Sequence, residues 1–362
     1  MIDIADPSVG PEEVARVRDV LESGRLADGP EVRTFEEEFS EFCGVEHGVA
    51  TSNGTTALHT ALHALGIGPG DYVLTTPFSF VASANAIRLV GATPVFADVD
   101  PETYNLDPTA VEHRLETGPS VDAILTVHLY GLPSDVGPLR RLADEYDVPL
   151  VEDAAQAHGA RYDGDPVGSF GDVACFSFYP TKNMTTGEGG MVVTDRQTVA
   201  DRAARYVNHG RSSEGYEHVE VGHNFRMTSL AAAIGRVQLD RLPTLVDIRR
   251  ANAARLDEAL ADSSILTPST PPGFDHAYHQ YTVRSDDRTG LADHLAEAGV
   301  DSAVYYPTPI HEQPAYHHVD HSAPITEHLA DHVLSLPVHP GLSDADVDRI
   351  ATAVLDYETH QQ

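Results

Sequence analysis

Lys182, in the stretch FSFYPTKNMTTGEGG (residues 176–190), is the single lysine of a 362-residue chain whose Lys and Arg together number 23. A lysine amine can lose its proton and attack a carbonyl, whereas a guanidinium stays protonated. One lysine retained where arginine holds every other basic position is therefore a candidate nucleophile; the other reading is a surface lysine kept by chance. Further residues of suitable type lie in separate stretches. Gly54 and Thr55, in TSNGTTAL, stand directly before a helical pattern. There, free N–H groups, the helix dipole and a hydroxyl suit a phosphate, or the threonine is simply the N-cap. Glu152 and Asp153 close the strand-like run VPLVED. The carboxyl end of such a strand is where ligands bind in open α/β sheets, although either acid could instead cap a following helix. Phe80, in TPFSFVAS, offers a flat face for a ring or is one more core aromatic, and Ser177 lies five residues before Lys182.

A nucleophilic lysine, an aspartate able to pair with a protonated ring nitrogen and a helix N-terminus for a phosphate are together the requirements of pyridoxal phosphate. Other constellations carry less. His317, His318 and His321 with Asp320, in YHHVDH, are metal-ligating types, but in a chain with 20 histidines they read as a solvated loop, and no metal site is expected. TGEGG lacks the Gly-Lys-Ser/Thr of a nucleotide loop and reads as a tight turn beside the cofactor. Cys43 and Cys175 have neither a disulfide framework nor metal-ligand spacing.

The elements that must position these residues are legible from periodicity. TTALHTALHALGIG places Ala57, Leu58, Ala61, Leu62 and Leu65 on one helical face, with Gly66 as a stop. YVLTT, TPVFADV, VDAILTVH, VPLVED, ACFSFY and GMVVT read as strands, with helices over FVASANAIRLV, DPTAVEHRL and LRRLADEY. DPTAVEHRL opens with an N-cap aspartate and a proline at the first helical position. Strands alternating with helices at this spacing predict a mainly parallel, doubly wound sheet. After a helical stretch near 228–260, the strand YHQYTVR, the helix RTGLADHLAEAG, the strand SAVYY and a helix near 343–357 suggest a smaller α+β unit. The expected division is a large domain over 1–240 and a small one over 241–362, with the boundary within or beside a long helix.

The chain carries 56 acidic side chains and a formal net charge of −33, spread along its whole length. Such a charge repels polyanions, so nucleic acid and anionic membrane surfaces are poor partners. An acidic surface stripped of lysine fits a salt-loving cell, where concentrated cations screen the repulsion. The opening MIDIADPSVGPEE is acidic without an apolar run, and no segment approaches the roughly 20 apolar residues of a membrane span, so a cytoplasmic location is expected.

In order from about residue 9 to residue 350, the stretches SNGTTAL, GATPVFADVD, VHLYGLPSD, VEDAAQAHGA, FSFYPTKNMTTGEGG, NFRMTSLAAAIGRVQL and YYPTPIHEQPAY resemble the sugar aminotransferases of the DegT/DnrJ/EryC1/StrS family. The resemblance implies the α/β fold of aspartate aminotransferase (fold type I) and pyridoxal 5'-phosphate as cofactor. It implies Lys182 as the Schiff-base lysine, Asp153 as the pyridinium partner, Gln156 at the ring's phenolic oxygen and Phe80 stacked on the ring. Gly54, Thr55 and Ser177 match phosphate ligands, and Asn224 matches an asparagine that reaches the phosphate from the other subunit of a homodimer with shared active sites. His223 and Phe225 stand where the family usually has tyrosine, which leaves Asn224 and Arg226 intact. Arg226 and His311 are implied as substrate contacts. The activity implied is transfer of an amino group from glutamate to a nucleotide-linked keto sugar, in amino-sugar and glycan biosynthesis. KNMTTGEGG is more like members that aminate C-4 of a 4-keto-6-deoxy sugar than those ending GDGG. A dehydratase of the same scaffold would have histidine at the lysine position, and a non-catalytic regulator would carry an additional module.

Overall fold

The computed structural model describes residues 1–212, 215–317, 319 and 321–361, so His318 and Asp320 of the histidine-rich stretch lie outside the described residues. Helices α1 (Pro11–Ser23) and α2 (Pro30–Cys43) precede β1 (His47–Thr51). Alternation then runs through α3 (Gly54–Leu65), β2 (Tyr72–Thr75), α4 (Ala82–Leu89), β3 (Thr93–Phe96), α5 (Pro108–Thr117), β4 (Ala123–Val127), α6 (Val136–Glu145) and β5 (Leu150–Asp153). The short β6 (Arg161–Tyr162) and β7 (Asp165–Pro166) lead to β8 (Val173–Ser177), β9 (Gly190–Thr194), α7 (Gln197–Tyr206) and the long α8 (Ser229–Ala259). The chain ends with β10 (Phe274–Asp275), β11 (Tyr281–Arg284), α9 (Arg288–Glu297), α10 (Pro324–His332), β12 (Val333–Leu336) and α11 (Asp344–Gln361).

Seven strands form one sheet in the order β1-β9-β8-β5-β4-β2-β3. The run from β8 to β3 is parallel, and β9 is antiparallel to both of its neighbours. β4 is buried along its full length, as a strand covered on both faces must be. Ala57, Leu58, Ala61 and Leu62 turn the apolar face of α3 into the core beside Val49, Val73 and Val127. Each leucine buried this way stabilises the fold by about 1.5–3 kcal/mol. α5 opens as its sequence predicts, with Asp107 accepting from the Thr109 N–H and proline following the cap.

One expected strand is absent. Of SAVYY only Ala303 makes a bridge, to Ser335 on the edge of β12 away from β11, with which β12 pairs in antiparallel register, Tyr281 opposite Leu336. The chain leaves after that bridge and carries Tyr305 and Tyr306 to the cavity described below. A second core gathers Leu256, Tyr281, Leu291, Leu336 and Ile350 around Ile2, whose backbone bridges Val300. α8 spans the two cores: Leu239, Leu242 and Val246 pack with Phe35 and Phe39, whereas Ala253 and Leu256 pack in the second. The expected boundary near 240 thus falls inside this helix, close to its internal Pro243. The division by sequence is not a clean division in space. Ile2 belongs to the second core, while Ala277 and the α10 residues Leu329 and Ala330 pack with the first unit.

Candidate active site

A cavity of about 700 Å³ lies at the carboxyl ends of β5 and β8 and at the N-terminus of α3. It is lined by Gly54, Thr55, Phe80, Asp153, Gln156, Ser177 and Lys182, which come from four separate stretches of sequence. The sheet register brings them together. Asp153 lies opposite Cys175 in the β5–β8 pairing, so Ser177 stands two residues further along the neighbouring strand.

The helix cap is Asn53, not Thr55. Its side chain accepts from the Thr56 N–H while the Thr56 hydroxyl takes the Asn53 N–H, a reciprocal capping box. Capping by Asn53 leaves Gly54 and Thr55 in the first helical turn, where backbone N–H groups lack intrahelical acceptors and the dipole is positive. Gly54 is needed there for space, since a Cβ would stand 2.6 Å from Ser177 Cβ.

Adjacent strand residues point to opposite faces, which separates the two acids. Glu152 is wholly buried and accepts from the N–H groups of Gly168 (3.0 Å), Phe170 (2.9 Å) and Gly171 (2.7 Å) and from His128 Nε2 (3.0 Å). Burial alone would push its carboxyl up; the His128 ring and these N–H groups prevail and hold it below the ordinary range. Glu152 therefore fixes the turn after β7. Asp153 faces the cavity, accepting from Ser83 Oγ (2.7 Å) and the Ala155 N–H (3.2 Å). No helix follows it for either acid to cap, since residues 154–160 are turns. Burial raises the Asp153 carboxyl above its ordinary value, against the pull of Ser83, Ala155 and the Lys182 charge. Burial likewise lowers the Lys182 amine to about 8, with Asp153 opposing.

Phe80 is not a core aromatic: it is 54% exposed on the cavity wall, 6.0 Å from the Tyr306 ring, while Phe78 occupies the core. Gln156 is held at both ends of its amide. Oε1 accepts from the Tyr130 N–H (2.7 Å) and Nε2 donates to Tyr306 Oη (2.9 Å). Asn53, Ser83, Tyr130, Tyr306 and His279 also line the cavity and were not singled out from sequence. Only Asn53 had a local signal, its place before the helical run.

Three expected contacts lie elsewhere. Asn224 is exposed, outside the cavity of its own chain, and bridges Asn208. Arg226 donates to Asn208 Oδ1 (2.5 Å) in a separate recess with Arg33, Arg205 and Arg211. His311 is buried, 3.2 Å from Glu327 Oε1 and against the Phe96 ring. Glu327 Oε1 also accepts from the Ala323 N–H at the start of α10, which accounts for the close grouping of His311, Glu312 and Glu327.

The cavity fits pyridoxal phosphate: a buried carboxylate for the ring nitrogen, a lysine amine, an aromatic wall, and a glycine-cleared helix start beside a serine hydroxyl for the phosphate. The chain belongs to the DegT/DnrJ/EryC1/StrS aminotransferase family, which it matches over residues 7–355. It is 40% identical over 337 residues to UDP-N-acetyl-3-dehydro-alpha-D-glucosamine 3-aminotransferase of Acidithiobacillus ferrooxidans, covering 92% of this chain and 90% of that protein. It is 41% identical over 351 residues to dTDP-3-amino-3,4,6-trideoxy-alpha-D-glucose transaminase of Streptomyces venezuelae, covering 96% and 92%. The crystal structure of S. venezuelae DesV in complex with a ketimine intermediate superposes with a TM-score of 0.92 at 41% identity, covering 96% of this chain and 94% of DesV. This chain is accordingly an aminotransferase of fold type I that depends on pyridoxal 5'-phosphate. No helix of the described residues is long and apolar enough to cross a membrane.

Proposed function

We propose that this enzyme transfers an amino group from glutamate to the ketone of a nucleotide-linked keto sugar, in amino-sugar and glycan biosynthesis. The observation that carries the reading is the placement of the only lysine amine, lowered to about 8, in one cavity with the buried Asp153. The names of the two relatives, both acting on nucleotide-linked sugars, support the substrate class.

When bound, pyridoxal phosphate supplies the carbon that carries the nitrogen and a conjugated ring that takes up an electron pair. The protein's residues do the rest. Lys182 Nζ, free and neutral, takes the proton from the donor's α-carbon and delivers it, and in the second half-reaction moves it in the opposite direction; such transfer contributes about 10²–10⁴ in rate. Asp153 keeps the proton on the ring nitrogen. Gly54, Thr55 and Ser177 hold the phosphate, Phe80 covers a ring face, and Gln156, fixed by Tyr130 and Tyr306, orients the phenolic oxygen.

Asn224, exposed and outside the lining of its own cavity, supports a homodimer in which it completes the site of a second copy, with Arg226 beside it as a substrate contact. Mixing Lys182→Ala with Asn224→Ala chains should then restore part of the activity that each lacks alone. Activity from an isolated monomer would overturn the shared site. His311, expected as a substrate contact, is tied to Glu327 beside the turn over 310–316.

The ring carbon has two readings. Glu188 of TGEGG lines the cavity and supports C-4 of a 4-keto-6-deoxy sugar, since a displacement of about 1 Å at a reacting centre can cost ~10²-fold. The relatives' names, both with nitrogen at position 3, favour a 3-keto sugar. Offering matched 3-keto and 4-keto nucleotide sugars with glutamate, and identifying the product by NMR, separates them. Failure of the yellow protein to bleach with glutamate, or of any keto sugar to restore it, would overturn the transaminase reading.

A further inference from the structure

Behind Lys182 lies a polar nest that the reaction as described leaves unused. Three buried side-chain atoms there have no partner among the described residues: His279 Nδ1, Asn183 Oδ1 and Arg249 Nε. Such atoms are rare in folded proteins, and each calls for an explanation. All three residues converge on one segment. Asn183, next to Lys182, donates Nδ2 to the Ala277 carbonyl (2.9 Å), and Arg249 donates Nη1 to the carbonyls of Tyr278 (3.0 Å) and His279 (3.5 Å).

The backbone of that segment is held against its preference. Tyr278 has φ +44°, a region costly for an aromatic residue, and flanking N–H groups tie it down. Ala277 N donates to Gly131 O (2.8 Å) and Gln280 N to Tyr130 O (3.0 Å). Gly131 itself has φ +95°, and a Cβ there would stand 2.8 Å from His279 N. These anchors place the buried His279 ring on the wall of the cavity that holds Lys182, with Nδ1 on the closed side.

We propose that His279 is a positioning residue for Lys182: Nδ1 serves as an acceptor in the nest, and Nε2–H is presented to the lone pair of the free lysine amine. The inventory of the nest fits that tautomer. With Nδ1 unprotonated, the nest sets two acceptors, Asn183 Oδ1 and His279 Nδ1, beside the one donor, Arg249 Nε–H. Burial, with the cations Lys182 and Arg249 nearby, disfavours a second proton on the ring. A donor to its lone pair favours the neutral amine, the form that acts as a base. Asp153 acts in the opposite sense, and Glu188, His158, Tyr130, Tyr179, Tyr305 and Tyr306 are further titratable groups around the amine.

The inference rests on the reading of Lys182 as the reactive amine, but its test needs neither sugar nor cofactor. Because the chain has one lysine, reductive methylation with ¹³C-formaldehyde labels only Lys182 Nζ and the α-amine, and a dimethylated amine keeps its lone pair. The ¹³C shift of Lys182 is followed against pH in apoprotein carrying the natural histidine, His279→Gln, which keeps an N–H at the Nε2 position, or His279→Asn, which does not. The Asn variant should titrate about one pH unit higher, leaving ~10-fold less neutral amine at neutral pH, and the Gln variant should stay close to the parent. Gln and Asn variants that match each other, whether shifted or not, would overturn the proposal. His279→Leu replaces His279→Asn if the latter chain does not fold. Loss of the transaminase reading would show separately, as borohydride failing to fix the cofactor on Lys182.

Discussion

At the scale of single residues, neighbours in sequence have unrelated tasks. Lys182→Arg retains the charge and removes the usable amine, so transamination should fall below detection, and borohydride should fix cofactor to the parent chain alone. Substantial turnover in the arginine variant would remove Lys182 from the chemistry. Glu152, one residue before Asp153, should behave as a structural anion. Its carboxyl titrates below the unfolded value, so its contribution is fully present above about pH 4.3 and is lost as pH falls through the depressed folded value. Glu152→Gln removes a buried charge that collects three N–H groups and His128, and should cost about 3–5 kcal/mol by urea unfolding at fixed salt. The sequence placed both acids at a strand end but left their tasks open, because the side that a strand residue faces depends on which neighbours cover the sheet. Lys182 was legible for a compositional reason, being alone of its kind. His279 and Tyr306 were not legible, since their positions depend on an unusual backbone at Tyr278 and on a chain leaving the β11–β12 pair.

Elements carry the phosphate end of the site. The start of α3 and the end of β8 approach so closely that Gly54→Ala must displace one of them. The variant should fold, because the fault lies at the rim of the sheet, but bind pyridoxal phosphate at least ~10-fold more weakly in an absorbance titration. An unchanged affinity would show that the N-terminus of α3 is not the phosphate cradle. The helices and parallel strands of the large unit were legible because both faces of the sheet are covered, which writes continuous apolar runs such as AILTV. Strand β1 and helices α1, α2 and α7 were passed over. β1 is five residues long and pairs with the distant β9, which local periodicity does not reveal. SAVYY misled for the converse reason: it has strand composition, but after one bridge to the outer edge of β12 the chain turns to the cavity.

For the molecule as a whole the dominant quantity is charge. With a net charge of −33, repulsion between surface carboxylates is screened within about 3 Å at ~1 M salt and extends to about 30 Å at ~0.01 M. Lowering the salt should therefore lower the melting temperature and loosen any dimer; equal stability at both concentrations would refute the salt-loving reading. The acid-rich surface also bears on ion pairs such as Arg255 with Asp344 and Asp348, since exposed pairs of this kind contribute little and less in salt. The placement of Ile2 sets an order on assembly. Ile2 fills the core of the C-terminal unit, and Ile4 N approaches Asp301 Oδ2 across 297 residues of chain. At translation rates of about 5–20 residues per second, Ile2 and Ile4 wait roughly 15–60 s for these partners to be synthesised. The parallel sheet can be complete during that interval while the second core still lacks one of its buried side chains. The second core then closes only when Ile2 meets partners such as Val300 and Ile350, which are made long after it.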